Sequence, residues 1–316
     1  MPTATQGDVT LHYDERGPRD GEAIVLIMGI GAQMTAWRDG FCDLLAGHGF
    51  RVIRFDNRDA GLSSSTPGTP PSYRELLPLI VPARGAAGAP RRPVPYTFSD
   101  MAADAVAVLD AAGVDRAHVV GASLGGMIAQ TVAIEHPGRV RSLTSIMSKP
   151  GALTVGLPTV RVFLNSLKNP PGNRSADVEF EVARSERIAG PLFDREAMRT
   201  FISDSMDRAS QPNGMMFQAA AMFASGDRTA ALRRLETPTL VIHGRVDPLI
   251  KLSGGEATAK AVPGAKLVVL NDMGHDLPKP LWRTLTDAIA SHASSAVTEV
   301  VDGERRGTAD PVASTA

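Results

Sequence analysis

Seven histidines, one cysteine and a single Gly-x-Ser-x-Gly segment carry most of the chemistry this chain can offer. The segment is Gly121-Ala122-Ser123-Leu124-Gly125. As a bare pattern it is common by chance, but its surroundings sharpen it. An apolar run at 117–120 precedes it and a helical pattern at 125–136 follows, ending before Pro137. A serine on such a strand–turn–helix corner has an exposed hydroxyl at the positive end of a helix. The flanking glycines leave room for the neighbouring backbone, where a Cβ would collide.

A serine hydroxyl attacks a carbonyl only when a base takes its proton. Of the histidines, His12, His48, His118, His136, His243 and His292 fall within strands or helices or at their ends. His275 falls in a loop just beyond the strand-like run 266–270. Loops beyond the carboxyl ends of parallel strands converge on one site in an open α/β sheet. That makes His275 the candidate base. Asp247, beyond the strand-like run 239–243, is the candidate acid that orients it. Asp272 and Asp276 are nearer to His275 in sequence but do not easily fold back to hold its ring, so they rank below Asp247. The oxyanion of an acyl-transfer intermediate needs two donors. The amide of Leu124 is one, and Ile30 in Met28-Gly29-Ile30-Gly31-Ala32-Gln33-Met34 is the expected other. Gly29, Gln33 and Met34 are expected to touch substrate.

The elements that must position these residues follow an alternating rhythm. Runs at 9–13, 23–28, 51–56, 117–120, 143–147, 239–243 and 266–270 read as strands. Helical spacing follows at Trp37, Phe41, Leu44 and Leu45. Thr97 reads as the N-cap of a helix, with Asp100 three residues on. This is the signature of a mostly parallel sheet flanked by helices. Residues 151–230 lose the strand rhythm and read as helices near 159–167, 176–188, 195–207 and 213–224. Phe163, Met198, Phe201, Met215 and Phe217 lie among them. They either pack the insert together or line an adaptable apolar pocket. The organisation expected is an α/β core over 1–149 and 231–295, a helical cap over 150–230, and a flexible tail over 296–316. Residues 64–96 hold eight prolines and a Gly/Ala-rich patch. They read as a long loop with a short helix at 73–80.

Composition bounds the partners. Lys+Arg is 33 against Asp+Glu 34, a net charge of −1, which gives no support for nucleic-acid or membrane-surface binding. No apolar stretch is long enough to span a bilayer. One cysteine leaves no intrachain disulfide and fits a reducing compartment. The expectation is a cytoplasmic protein, monomeric or homodimeric, acting on a small molecule without metal or organic cofactor.

Five motifs in one order carry a resemblance. They are Met28-Gly29-Ile30-Gly31, Asp56-Asn57-Arg58-Asp59-Ala60-Gly61-Leu62-Ser63, the Ser123 segment with Gly126, 243–247, and Gly274-His275. Over residues 5–292 the chain resembles the cap-bearing serine esterases of the α/β-hydrolase superfamily. Among these it is similar to actinobacterial lipase/esterase-type hydrolases and to the aclacinomycin methylesterase group. The resemblance implies the α/β-hydrolase fold and cleavage of a carboxylic ester through an acyl-enzyme. A small to medium hydrophobic ester, a methyl ester or a lactone is the expected substrate. It also implies that residues 56–63 brace the site. Met28 departs from the wider family, where His-Gly is usual and the histidine braces the oxyanion loop. Relatives with the same triad include carbon–carbon bond hydrolases and perhydrolases. A hydrolase-like ligand-binding protein is the reading from another class, marked by tight binding with slow turnover.

Overall fold

A computed structural model describes residues 1–72, 75, 94–166, 168 and 170–307, the last eleven of these by backbone alone. The chain opens with an antiparallel pair, β1 (Thr3–Gln6) and β2 (Val9–Arg16). The parallel strands follow: β3 (Ala23–Ile27), β4 (Arg51–Phe55), β5 (Ala117–Ala122), β6 (Val140–Ile146), β7 (Thr239–Gly244) and β8 (Lys266–Leu270). They form one eight-stranded sheet in the order β1-β2-β4-β3-β5-β6-β7-β8, antiparallel only where β2 meets β1 and β4. Every strand expected from the sequence is present. The strand β1 was not expected: only Ala4 of its four residues is buried, so it carries little apolar signal.

All five residues of β3 are buried, yet they still alternate. Val25 and Ile27 join one apolar cluster, Ile24 and Leu26 the other. A strand covered on both faces reads as a continuous apolar run for this reason. Burial of each such side chain contributes about 1.5–3 kcal/mol. Two helices, α2 (Phe98–Ala111) and α3 (Leu124–Glu135), cover the first face. On the second lie α1 (Asp39–Gly47) and the terminal helix Trp282–Gly307, through Phe41, Leu45, Leu285 and Ile289. The expected cap at Thr97 is a full capping box: the Thr97 N–H donates 2.7 Å to the Asp100 carboxylate.

Between β6 and β7 the chain forms α4 (Val160–Ser166), α5 (Arg174–Glu186), α6 (Arg195–Arg208), α7 (Gly214–Ser225) and the short α8 (Thr229–Leu232). These helices lie near the spans 159–167, 176–188, 195–207 and 213–224 where the sequence predicts helical spacing. Met198, Phe201 and Met206 pack on Val178, Val182 and Ile202, tying α5 to α6. Phe217 joins the core of the sheet. Helix α9 (Ser253–Ala261), which the sequence reading did not assign, connects β7 to β8. The last helix, α10 (Trp282–Gly307), continues past residue 296, where the sequence reading starts a tail. Residues 308–316 lie outside the described residues, as does all but Glu75 of the short helix expected at 73–80. Among the described residues no helix is long and apolar enough to cross a membrane.

Candidate active site

Ser123 sits between the end of β5 and the start of α3 with φ 57° and ψ −120°. A non-glycine residue in this region is strained, and such strain persists only where the surroundings hold it. Here they do. The Ser123 N–H donates 2.9 Å to Ile146 O on β6. Its carbonyl accepts from Ser148 Oγ at 2.8 Å and from the Gly126 N–H at 3.0 Å. A Cβ on Gly121 would overlap Gly125, and one on Gly125 would overlap the Ile27 and Met28 carbonyls. The elbow is therefore possible only with glycine at both places.

The three sequence-predicted residues come together. His275 Nε2 lies 2.9 Å from Ser123 Oγ, and His275 Nδ1 lies 2.8 Å from Asp247 Oδ2. Asp247 is buried, and its other oxygen accepts the N–H groups of Leu249 and Ile250, both at 2.9 Å. A carboxylate so held can only accept from Nδ1. That assigns the proton to Nδ1 and leaves Nε2 as acceptor for the serine hydroxyl.

A second histidine, His243, stands behind Asp247, with Nε2 at 3.7 Å from its carboxylate and 2.7 Å from Ile250 O. Burial lowers its pKa, with the hydrogen bond to Ile250 O and the Asp247 carboxylate acting in the opposite sense. Asp276 does not reach the His275 ring. Its Oδ1 accepts from Gly190 N at 3.2 Å and Gly274 N at 3.0 Å, and burial pushes its pKa up. The His275 N–H itself donates 2.7 Å to Ile188 O, just past α5. The insert therefore holds the histidine loop directly.

Above Ser123 runs the loop from Met28 to Met34. A Cβ on Gly29 would lie 3.2 Å from Ser123 Cβ, so this backbone borders Ser123. As the first residue of α3, Leu124 has no carbonyl one turn back for its N–H. Asn57 Nδ2 donates 2.9 Å to Met28 O, and Asp56 Oδ1 accepts the Met34 N–H at 2.7 Å. The stretch 56–63 thus braces this loop. Met34 is fully buried. Gln33 is engaged with the insert: Nε2 donates to Ser205 O (2.6 Å) and Ala209 O (3.1 Å), and Oε1 accepts from Arg208 at 2.7 Å. Ser148, Arg208 and Gln218 are not among the residues the sequence marks for this site. Gln218 left one signal, a lone amide in the apolar stretch Phe217–Ala221. Cys42 is buried with its pKa pushed up to about 12, mainly by desolvation, and is no nucleophile. Among the described residues no group of three or more His, Cys, Asp or Glu is arranged to hold a metal.

An eight-stranded sheet, an elbow serine after β5, an acid after β7 and a histidine after β8 define a class. The chain belongs to the α/β-hydrolase fold family, whose pattern it matches over residues 22–278. It is 31% identical to rhodomycin D methylesterase DauP of Streptomyces sp. (strain C5), covering 94% of this chain and 99% of that one. It is 30% identical to a 2-hydroxymuconate semialdehyde hydrolase of Pseudomonas putida, over 68% of this chain and 79% of the other. The solved enol-lactonase of Burkholderia xenovorans LB400 superposes with a TM-score of 0.68 at 22% identity. That match covers 94% of this chain and all of the other, and shows the shared fold.

Proposed function

We propose that this protein is a serine hydrolase that cleaves carboxylic esters through an acyl-enzyme. The observation that carries the reading is the unbroken chain Asp247–His275–Ser123, at 2.8 and 2.9 Å, beneath a loop whose backbone borders the serine. Ser123 Oγ attacks the ester carbonyl as its proton passes to His275 Nε2. The developing oxyanion takes hydrogen bonds from the amides of Leu124 and Ile30. The tetrahedral intermediate collapses, the C–O bond to the alcohol breaks, and His275 returns the proton to the alcohol. Water, deprotonated by the same imidazole, then attacks the acyl-enzyme, and the acid leaves as Ser123 regains its proton. Asp247 keeps the proton on Nδ1 and stabilises the imidazolium in each half-reaction.

The helices α4–α7 act as a cap. Met215 packs on Gly31, with its Cβ and Cγ 3.4 and 3.5 Å from where a side chain there would begin. An apolar contact at this place favours a neutral, hydrophobic substrate. Similarity to a methylesterase over almost the whole chain favours a methyl ester of a larger product within that class. Similarity to a semialdehyde hydrolase supports a second reading, cleavage of a carbon–carbon bond next to a carbonyl. Initial rates on p-nitrophenyl esters from acetate to palmitate, with Ser123→Ala as control, separate the two. Ser123-dependent turnover is expected. Its absence, with hydrolysis of a vinylogous 1,5-diketone, would replace the ester reading by the second.

A further inference from the structure

Three amides in succession, those of Gly29, Ile30 and Gly31, follow β3 above the nucleophile. The Gly31 N–H is already taken, since it donates 2.7 Å to Oε1 of Gln218. Gln218 lies in the middle of α7, fully buried, and its Nε2 donates 2.8 Å to Arg58 O. The two ends of one amide are thus used in opposite senses. Flipping it would set donor against donor at Gly31 and acceptor against acceptor at Arg58, so its orientation is fixed. At the same point the loop makes a tight turn. The Ala32 N–H donates 3.3 Å to Gly29 O, and Gly31 has φ +67°. The Gln218 bond orients the Ile30–Gly31 peptide, and the Ala32 bond holds the Gly29 carbonyl, which shares its peptide with the Ile30 N–H; the two together set the turn. Among the described residues the Ile30 N–H has no protein acceptor. Gln33 ties the far end of the same loop to Ser205, Arg208 and Ala209.

We propose that Gln218 is a positioning residue: from the insert, it fixes the turn 29–32 so that the Ile30 amide, and not that of Gly31, faces the oxyanion over Ser123. This rests on the serine-hydrolase reading above. It makes the insert part of the oxyanion-binding apparatus as well as a cover. Gln218 touches no substrate and acts through the backbone it holds.

The test compares Q218M, which keeps the length and removes both hydrogen bonds, with Q218E, which keeps the acceptor for Gly31 and, as the neutral acid that burial favours, an O–H donor for Arg58 O. S225A is the control: it sits in the same helix and loses the acceptor for the Phe98 N–H, 2.8 Å away. Two readouts are taken on each folded variant. One is kcat and KM on the best p-nitrophenyl ester. The other is the rate at which a fluorophosphonate labels Ser123, where the Oγ–P bond forms, fluoride leaves, the proton goes to His275 and the P–O oxygen needs the same amides. Q218M is expected to lower kcat and the labelling rate together by about 10–100-fold with KM within threefold, a fraction of what a lost oxyanion donor costs. Q218E recovers to within about fivefold, and S225A stays within twofold although it lowers Tm. If Q218M is insoluble, Q218N, one methylene shorter, carries the same expectation. A folded Q218M or Q218N within twofold of wild type on both readouts overturns the inference. Wild type labelled at Ser123 without ester turnover overturns the ester reading alone, and the labelling rates then still decide on Gln218. Wild type with neither overturns both.

Discussion

Arg208 Nη2 lies 2.7 Å from Asp56 Oδ2, joining the last residue of α6 to a wholly buried carboxylate just beyond β4. Asp56 also accepts the N–H groups of Met34 (2.7 Å) and Leu62 (3.0 Å), so one carboxylate gathers the insert, the 28–34 loop and the 56–63 loop. Removing one partner of a buried pair leaves the other charge uncompensated, at about 3–5 kcal/mol. Arg208→Met is therefore expected to lower Tm by on the order of 10 °C. Adding Asp56→Asn should cost less than the sum of the two single changes. A double-mutant cycle by calorimetry checks this, and strict additivity would show that the pair is not coupled.

Asp247→Asn tests the tautomer argument. The Leu249 and Ile250 N–H groups already point at one side-chain oxygen, so the amide nitrogen is driven toward His275. It then donates to Nδ1, moves the imidazole proton to Nε2 and leaves no base for Ser123. The expected loss is about four orders of magnitude in kcat with little change in KM or Tm. Stopped-flow acylation rates measure it, and a loss below tenfold would remove Asp247 from its role.

That Ser123, Asp247 and His275 would meet was legible because each sits at a recognisable place: a glycine-flanked turn, then two loops beyond strand ends. The parallel strands were legible because burial on both faces makes them continuous apolar runs. What stayed hidden was the support. Gln218, Arg208 and Ser148 act over sequence separations of 187, 152 and 25 residues, and no local pattern marks such partners. Gln33 shows the converse limit. It lies in the right loop, but its side chain turns to α6, a direction set by tertiary packing. Helix α9 was missed because Gly254-Gly255 weakens its helical signal, and a Cβ on Gly255 would meet His243 Nδ1 at 2.5 Å.

The base of the insert touches the histidine loop backbone to backbone. A Cβ on Gly190 would overlap Asp272 O and come within 2.7 Å of Gly274 N. The bond from His275 N–H to Ile188 O crosses the same seam. Gly190→Ala is expected to push the loop outward and lengthen the His275–Ser123 contact. Displacements of this size cost about 10²-fold when they fall on reacting groups. The expected outcome is a loss of kcat of that order with a modest fall in Tm. Steady-state kinetics beside a melting curve check it, and unchanged kcat would mean that the seam yields elsewhere.

His118 sets an acid limit on the fold. It lies in β5, 1% exposed, with Nδ1 2.8 Å from Ser142 Oγ and Phe50 edge-on to its ring. Desolvation first, then Arg141, His292 and Arg116, lower its pKa from 6.5 to about 4. Among the described residues the facing carboxylate, Glu22 at 3.6 Å, is itself exposed and reaches Arg141 at 3.9 Å, so it does not offset these. The folded state thus binds this proton more weakly than the unfolded chain. Its contribution to stability is complete above about pH 6.5 and is lost as pH falls from there to about 4, below which it is flat. A shift of this size corresponds to about 3 kcal/mol. His243, lowered in the same direction, adds to the same loss. His118→Asn keeps a polar atom near Ser142 and removes the titration. Urea midpoints measured from pH 7 to 4 should fall less steeply for the variant than for the wild type. Parallel curves would mean that the buried ring takes up its proton without penalty.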